Sequence, residues 1–396
     1  MAAFDTFVLK VANRCNIDCD YCYVFNRVDQ RARRLPARMG LPVASAAADR
    51  IAEYAIRNRL HRVHVVLHGG EPLLAGVAHL DALLSTVLVR VGAVSDVHLQ
   101  LQTNATLVHP GWLDLFERLQ VAVGVSLDGP PQANDLHRLT RAGRSTAAAA
   151  ERGIALLRSR PGLLAGVLAV VDLGNDPVEV YRHLAGLAPP MIDFNLPHAT
   201  YDEPPPRAGH PDDAYGRWLA GVYDAWLADS GQVPQIRVLE DIVALSCGAR
   251  GSVESLGLAP SGVVVIESDG GIESTDALRA TAKGASQVGM NVFTHGLDDA
   301  VAHPEVRLRR GGRDTLAGTC LRCDLVEVCG GGHIAHRYRA ADGFRNPSVY
   351  CADLDYVIRH VQQSIARHPD TGLILRTTHR HTMAAGDPGA GRGRVP

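Results

Sequence analysis

Lysine is nearly missing from this chain of 396 residues: Lys10 and Lys283 are the two present, and arginine makes up the rest of its 40 basic side chains. Alanine is correspondingly common, so the bias is compositional and assigns no function. A dominant charge is missing too. The formal net charge is -2, which weighs against nucleic-acid-binding modules, since these carry a clear basic excess. No uninterrupted apolar run is long enough to span a bilayer, so no membrane partner is expected. The opening Met1-Ala-Ala-Phe-Asp-Thr lacks the charged and apolar segments of a secretory leader and runs directly into strand-like sequence. A cytoplasmic location is the resulting expectation, and there eight cysteines point to metal ligation more than to disulfides. With 46% hydrophobic residues the chain can build a large core, divided by its length into two or three domains.

From residue 7 to about 198 the sequence alternates strand and helix. Strand-like apolar runs lie at Phe7–Ala12, Val63–Leu67, Val97–Leu101, Val121–Leu127, Leu163–Val171 and Met191–Leu196. Helical periodicity fills the intervals at about Ser45–Arg59, Val77–Val91, Gly111–Leu119, Ser145–Arg158 and Pro177–Leu187. Short alternating units predict an α/β fold with a parallel sheet and helices outside it, and six of them suit a partial (β/α)6 barrel. Such a barrel carries reactive groups on the loops that follow the C-terminal ends of its strands. Residues 199–212 change character, because Pro204-Pro205-Pro206 cannot continue a helix. Two helices are expected after them, at about Asp213–Ala228 and Ile236–Leu245, with Trp218, Tyr223 and Trp226 as packing residues.

The strand ends carry the chemistry. After the first comes Cys15-Asn-Ile-Asp-Cys19-Asp-Tyr-Cys22, three soft thiolates in one short loop that can converge on an iron–sulfur cube or on zinc. Three cysteines leave one iron of a cube without a protein ligand, and an open coordination position is where a cluster does chemistry. After the second strand comes His68-Gly69-Gly70-Glu71-Pro72, whose glycines allow close backbone approach and whose carbonyls and carboxylate can accept from an ammonium group. Gln102-Thr103-Asn104 follows the third, and Ser126-Leu127-Asp128-Gly129 ends the fourth. A Gly-Gly-Glu alone is an ordinary turn. Its company at successive strand ends is what gives it weight.

Together these motifs resemble the radical SAM superfamily, whose C-x3-C-x2-C loop has an aromatic residue, here Tyr21, before its last cysteine. The resemblance implies a TIM-like partial barrel with a [4Fe-4S] cluster on Cys15, Cys19 and Cys22. It also implies S-adenosylmethionine at the open iron, cleaved to a 5′-deoxyadenosyl radical, and an electron donor such as flavodoxin or ferredoxin. Carried over residue by residue, it places Gly69, Gly70 and Glu71 at the methionine amine, Ser126 at the ribose and Arg138 on the carboxylate. Leu196 and Tyr21 fall beside the adenine.

Cys320-Leu-Arg-Cys323, Cys329 and Cys351 supply four more thiolates, enough to close a cube or to hold zinc. Their C-x2-C-x5-C spacing and late cysteine resemble the SPASM extension of radical SAM enzymes that modify ribosomally made peptides, implying an auxiliary [4Fe-4S] cluster on these four. Two departures set the chain apart. His333 stands where the pattern has a further cysteine, and Val263 to Asp276 contains none around the expected hairpin. Cys247 and His333 are too few for a second auxiliary cube, so one auxiliary cluster is expected, with open space beside it and Cys247 free or an occasional ligand. Asp276 falls where the related anaerobic sulfatase maturases carry a proton-accepting aspartate, which makes it the implied catalytic residue; a turn or capping role fits the residue type equally well.

The stretch Cys329 to Cys351, with Phe7-Val-Leu-Lys at the start, is similar to FxsB-type maturases, which install three-residue cyclophanes in short precursor peptides. This implies a ribosomally made precursor peptide as substrate, a β-hydrogen removed from one residue, and a bond from that β-carbon to an aromatic ring two residues earlier. Other readings stay open: oxidation of a Cys or Ser side chain as in sulfatase maturation, thioether formation, or, from another class, a zinc-binding interaction module. The expected units are a barrel at 1–200, a helical linker region at 201–246 and a SPASM-like domain at 247–367 ending in a helix at about Leu354–Arg367, followed by a disordered tail at 368–396. No leader-binding domain is expected ahead of the first strand. The precursor is expected to dock on the barrel or cluster-domain surface, by adding a strand to an exposed edge, or through a separate protein.

Overall fold

The computed structural model describes residues 3–207, 209–230 and 233–367, and the expected tail at 368–396 lies outside them. Six parallel strands come first: β1 (Thr6–Ala12), β2 (Arg62–Gly69), β3 (Asp96–Thr103), β4 (Ala122–Ser126), β5 (Leu164–Val170) and β6 (Met191–Asn195). They lie side by side in chain order, the arrangement that βαβ crossovers produce. The crossovers are the helices Leu41–Asn58, Val77–Val91, Pro110–Leu119, Ala147–Arg158 and Pro177–Gly186. Each buries an apolar stripe; on Val77–Val91 it consists of Leu80, Leu83, Leu84, Val87 and Val91. Burial of each such side chain stabilises by about 1.5–3 kcal/mol, more than any difference in helix propensity along the same segment. The helix Leu41–Asn58 starts four residues earlier than its periodicity predicts, because Pro42 sits in the first turn, where a missing N–H costs nothing.

Four more strands extend the sheet at both edges. β7 (Gln235–Ile236) pairs with β6, and β8 (Val263–Ile266) pairs in parallel with the free side of β1. β9 (Gly271–Glu273) then pairs antiparallel with β8, and β10 (Gln287–Asn291) antiparallel with β9. The order β10-β9-β8-β1-β2-β3-β4-β5-β6-β7 is linear, so the barrel is partial. One sheet thus runs across residues 200 and 247, where the sequence suggests changes of unit, since the hairpin strand β8 hydrogen-bonds directly to β1.

The helices Ala214–Ala228 and Cys351–Arg367 close the fold. Fully buried Asp353 accepts from Arg207 Nη2 at 2.6 Å and from Gly216 N at 3.1 Å, and a Cβ on Gly216 would lie 2.2 Å from the Asp353 carbonyl. The last helix begins three residues before its apolar pattern does, at Cys351 itself. Trp218 and Trp226 are buried, their indole N–H groups donating to Asn175 O and Pro234 O. Among the described residues no helix is long and apolar enough to cross a membrane.

Candidate active site at the strand ends

Cys15, Cys19 and Cys22, on the loop after β1, line a cavity of about 260 Å³. The loop is held locally: Cys22 N donates to Cys19 O at 3.0 Å and Asp18 N to Leu139 O at 2.8 Å. The turn after β2 is stitched to it, with Gly70 N donating to Ala12 O at 2.7 Å and Glu71 N to Arg14 O at 2.8 Å. A Cβ on Gly69, at φ +148°, would lie 2.0 Å from Ala12 O, and one on Gly70 2.2 Å from Arg14 O. Both glycines line the cavity, but what demands glycine there is the neighbouring backbone. Glu71 sits behind the wall. Its carboxylate is fully buried and accepts from Leu73 N at 3.0 Å, Thr103 Oγ1 at 2.7 Å and Asn104 N at 2.8 Å, bracing the loops after β2 and β3. Burial raises its pKa, and those bonds oppose the rise.

Tyr21, Ser126, Arg138 and Leu196 line the same cavity. Ser126 Oγ accepts from Gln102 Nε2 at 2.8 Å. Tyr21 donates its hydroxyl proton to Asp128 Oδ2 at 2.6 Å and accepts from Arg138 Nη1 at 2.9 Å, so a phenol is fixed between a carboxylate and a guanidinium. Burial pushes the thiol of Cys15 up to about 12 and that of Cys19 to about 11, the latter against the pull of Arg138. Such thiols stay protonated unless a polycationic centre ionises them, which is what an iron–sulfur cluster supplies. Among the described residues no three cysteine sulfurs lie within 4.8 Å of one another. Each set of three therefore has at least one pair of sulfurs farther apart than the roughly 3.8 Å edge of a zinc tetrahedron with about 2.3 Å bonds. The donor set fits a cluster.

A second cavity of about 260 Å³ shares Tyr23, Asn195, Leu196 and His198 with the first and holds Asp276. Asp276 opens the short turn Asp276–Ala280 after β9. Arg279 of that turn is fully buried and donates to Glu267 Oε1 at 2.6 Å and Glu273 Oε1 at 3.1 Å, which clamps the turn to the hairpin. The Asp276 carboxylate accepts from Tyr23 Oη at 3.0 Å and pairs with Lys10 Nζ, itself 2.9 Å from His68 Nδ1. Lys10 is completely buried. Burial works to raise the Asp276 pKa, but the Lys10 ammonium holds it well below the usual carboxylate range. Burial, then Lys10, brings His68 down to about 4, so its ring is neutral. His198, His333 and His336 line the same cavity. Burial takes His198 down to about 3 and His333 to about 4, and His336 well below its ordinary value. Sequence patterns single out Asp276 but not Lys10, His68, Tyr23, His198 or His336. The one available signal is a lysine inside an apolar strand of a chain that has two.

Cys320, Cys323, Cys329 and Cys351 gather at the short helices Gly318–Leu321 and Val326–Cys329 and the start of Cys351–Arg367. Burial pushes Cys329 up to about 12, and the nearby Cys351, Cys320 and Cys323 add to the shift. These four thiols could hold a second cluster. Cys247 is exposed and free at the end of the helix Arg237–Ser246.

Residues 9–175 match the family model described as the Radical SAM superfamily. The serine-type anaerobic sulfatase-maturating enzyme of Klebsiella pneumoniae is 26% identical over 345 residues, covering 84% of this chain and 82% of that one. Native anSMEcpe with bound AdoMet has a similar fold, with a TM-score of 0.79 at 20% identity over 92% of this chain and 99% of its own. SuiB of Streptococcus suis, bound to the precursor peptide SuiA, aligns with a TM-score of 0.58 at 16% identity over 89% and 76% of the two chains. Residues 9–175 are thus a radical SAM domain, and the protein is an S-adenosylmethionine-dependent radical enzyme that uses a [4Fe-4S] cluster.

Proposed function

We propose that this enzyme modifies a ribosomally made precursor peptide, removing a β-hydrogen from one residue and joining that carbon to the aromatic ring two residues earlier, to give a three-residue cyclophane. The observation that carries the reading is the second cavity, a space of side-chain size that shares a wall with the cofactor cavity and contains an ionised carboxylate paired with a buried lysine. Structures of similar fold hold the peptides Cp18Cys and SuiA. When bound, S-adenosylmethionine and its cluster supply a hydrogen-abstracting radical, and an auxiliary cluster on Cys320, Cys323, Cys329 and Cys351 an electron acceptor. Cys15, Cys19 and Cys22 hold the first cluster, while Gly69, Gly70, Ser126, Arg138, Tyr21 and Leu196 position the cofactor and Glu71 steadies the turn from behind.

Asp276 is the proton acceptor. After the β-carbon has lost its hydrogen atom and bonded to the ring, the ring carries one extra hydrogen on a tetrahedral carbon, and aromaticity returns when an electron and that proton leave. A proton in that position is strongly acidic, so a carboxylate whose pKa is depressed still accepts it. Lys10 keeps the acceptor ionised over the whole working range, and Tyr23 fixes its direction.

A second reading, two-electron oxidation of a Cys or Ser side chain, is favoured by the names of the curated relatives. Cyclophane formation and oxidation of Ser to an aldehyde each remove two hydrogens, so intact mass does not separate them. Oxidation of Cys to an aldehyde also exchanges sulfur for oxygen through hydrolysis of the thioaldehyde, and intact mass does separate that case. Co-expression with a candidate precursor, followed by tandem mass spectrometry and NMR, distinguishes the cyclophane from either aldehyde. A cyclophane blocks fragmentation between the joined residues and removes one ring proton; a hydrazide-reactive aldehyde with every ring proton present rules it out. Asp276→Asn should lower product formation by about 100-fold or more, the contribution of a positioned base, while 5′-deoxyadenosine still forms. Undiminished product would return Asp276 to a structural role.

A further inference from the structure

Three imidazoles that the proposed chemistry does not use meet at the second cavity. His198 follows β6, and His333 and His336 stand at the turn Ile334–Arg337. Their ring centroids are 5.3, 5.5 and 5.2 Å apart with interplanar angles of 51°, 56° and 53°, close to a three-bladed propeller. Each ring offers one nitrogen, and the three nitrogens lie within 4.8 Å of one another. Packing alone leaves buried imidazoles with hydrogen-bond partners. Here His198 Nδ1 and His336 Nε2 are buried without one, and His336 is only 6% exposed.

We propose that His198, His333 and His336 form a binding site for one divalent transition-metal ion. For three imidazoles on one ion, with bonds of about 2.1 Å and near-tetrahedral angles, ring centres stand about 5.2 Å apart, as they do here. Neutral nitrogen ligands suit zinc, iron(II) or cobalt(II). Three protein ligands leave a fourth position facing the cavity, and the negative charge of Asp276 on the same wall favours a cation. His333 Nδ1 now accepts from Ala335 N at 3.2 Å. A neutral ring has one lone pair to give, so ligation through Nε2 moves the ring proton to Nδ1 and breaks that contact.

The probe is zinc, added anaerobically to holoenzyme whose clusters have already been assembled, followed by desalting and measurement of zinc, iron and sulfide per chain. About one zinc per chain is expected. His336→Gln and His198→Gln should each reduce it at least tenfold with iron and sulfide unchanged; no zinc on the wild type, or equal zinc on both variants, overturns the proposal. If the variants lose iron and so fail to fold, zinc-edge X-ray absorption of the wild type decides instead. A nitrogen shell near 2.0–2.1 Å with imidazole scattering supports the site, and sulfur near 2.3 Å places the ion on cysteines and overturns it. An enzyme that binds zinc this way but makes no crosslink would sink the cyclophane and leave the ion site standing.

Discussion

The two cavities are built differently. The first is walled by loops that follow consecutive strands, so most of its residues arrive as short local motifs such as the three cysteines and Gly69-Gly70. The second takes Tyr23 from the cysteine loop, imidazoles from 198, 333 and 336, and Asp276 from a hairpin turn, backed by Lys10 from inside β1, 266 residues earlier. What one local stretch can specify is cofactor chemistry; what several distant segments must agree on is where the substrate sits and where its proton goes.

The comparison predicts that damage to the first cavity stops everything and damage to the second stops only the product. Cys15→Ala, Cys19→Ala or Cys22→Ala should abolish reductive cleavage of S-adenosylmethionine, whereas Cys320→Ala, at the distal thiols outside both cavities, should likewise stop only the product, keeping some uncoupled cleavage while peptide modification stops. Equal loss in both would mean that the distal thiols chiefly hold the fold together, because metal binding and folding are coupled. Measured 5′-deoxyadenosine against modified peptide separates the outcomes.

Next in size is Lys10→Met. Removing one partner of a buried pair costs about 3–5 kcal/mol, so the melting temperature should fall clearly, and Asp276→Asn in the same chain should recover part of the loss by removing the stranded charge. The Asp276 pKa is depressed, so its contribution to stability is present above the unfolded carboxylate value of about 3.9 and is lost as pH falls through the lower folded value. Without Lys10, burial raises that pKa. Product formation in Lys10→Met should then fall on the acid side, in a range where the wild type is flat.

Tyr21→Phe tests the first cavity more gently. It removes the hydroxyl between Asp128 and Arg138, and with net hydrogen-bond contributions of about 1 kcal/mol the KM for S-adenosylmethionine should rise about fivefold. The smallest effect concerns His137, whose ring nitrogens lie 2.9 Å from Asp20 Oδ1 on the cysteine loop and 2.8 Å from Asp172 Oδ2. The bond to Asp172, then that to Asp20, raises its pKa to about 9 against burial. A raised pKa adds stability that is complete below the unfolded value of about 6.5 and disappears as pH climbs through about 9. Melting temperatures should therefore drop over that window in the wild type and change less in His137→Gln.

The sheet and the cysteine loop are legible from sequence because alternation and spacing are local properties, and the helix Val77–Val91 is bounded by its pattern to the residue. Glu71 shows the limit. Its motif marks it as a ligand-facing carboxylate, yet its partners, Thr103 at the end of β3 and Asn104 just after it, turn it into a brace. Lys10 and the histidines are illegible for the same reason, since nothing near them in the chain indicates what they meet.

β1 touches both halves of this arrangement. Leu9 pairs with Leu67 on one side and Ile266 on the other, and Lys10 follows it immediately. The strand is in effect a gauge, setting the interval between the thiol loop at its end and the carboxylate delivered by the hairpin. A slip of one residue would turn Lys10 to the opposite face while leaving every cysteine in the sequence. Chimeras that graft the C-terminal segment of one such enzyme onto the barrel of another should therefore be joined in the loop at 249–261, ahead of β8, and judged by whether that two-sided register survives.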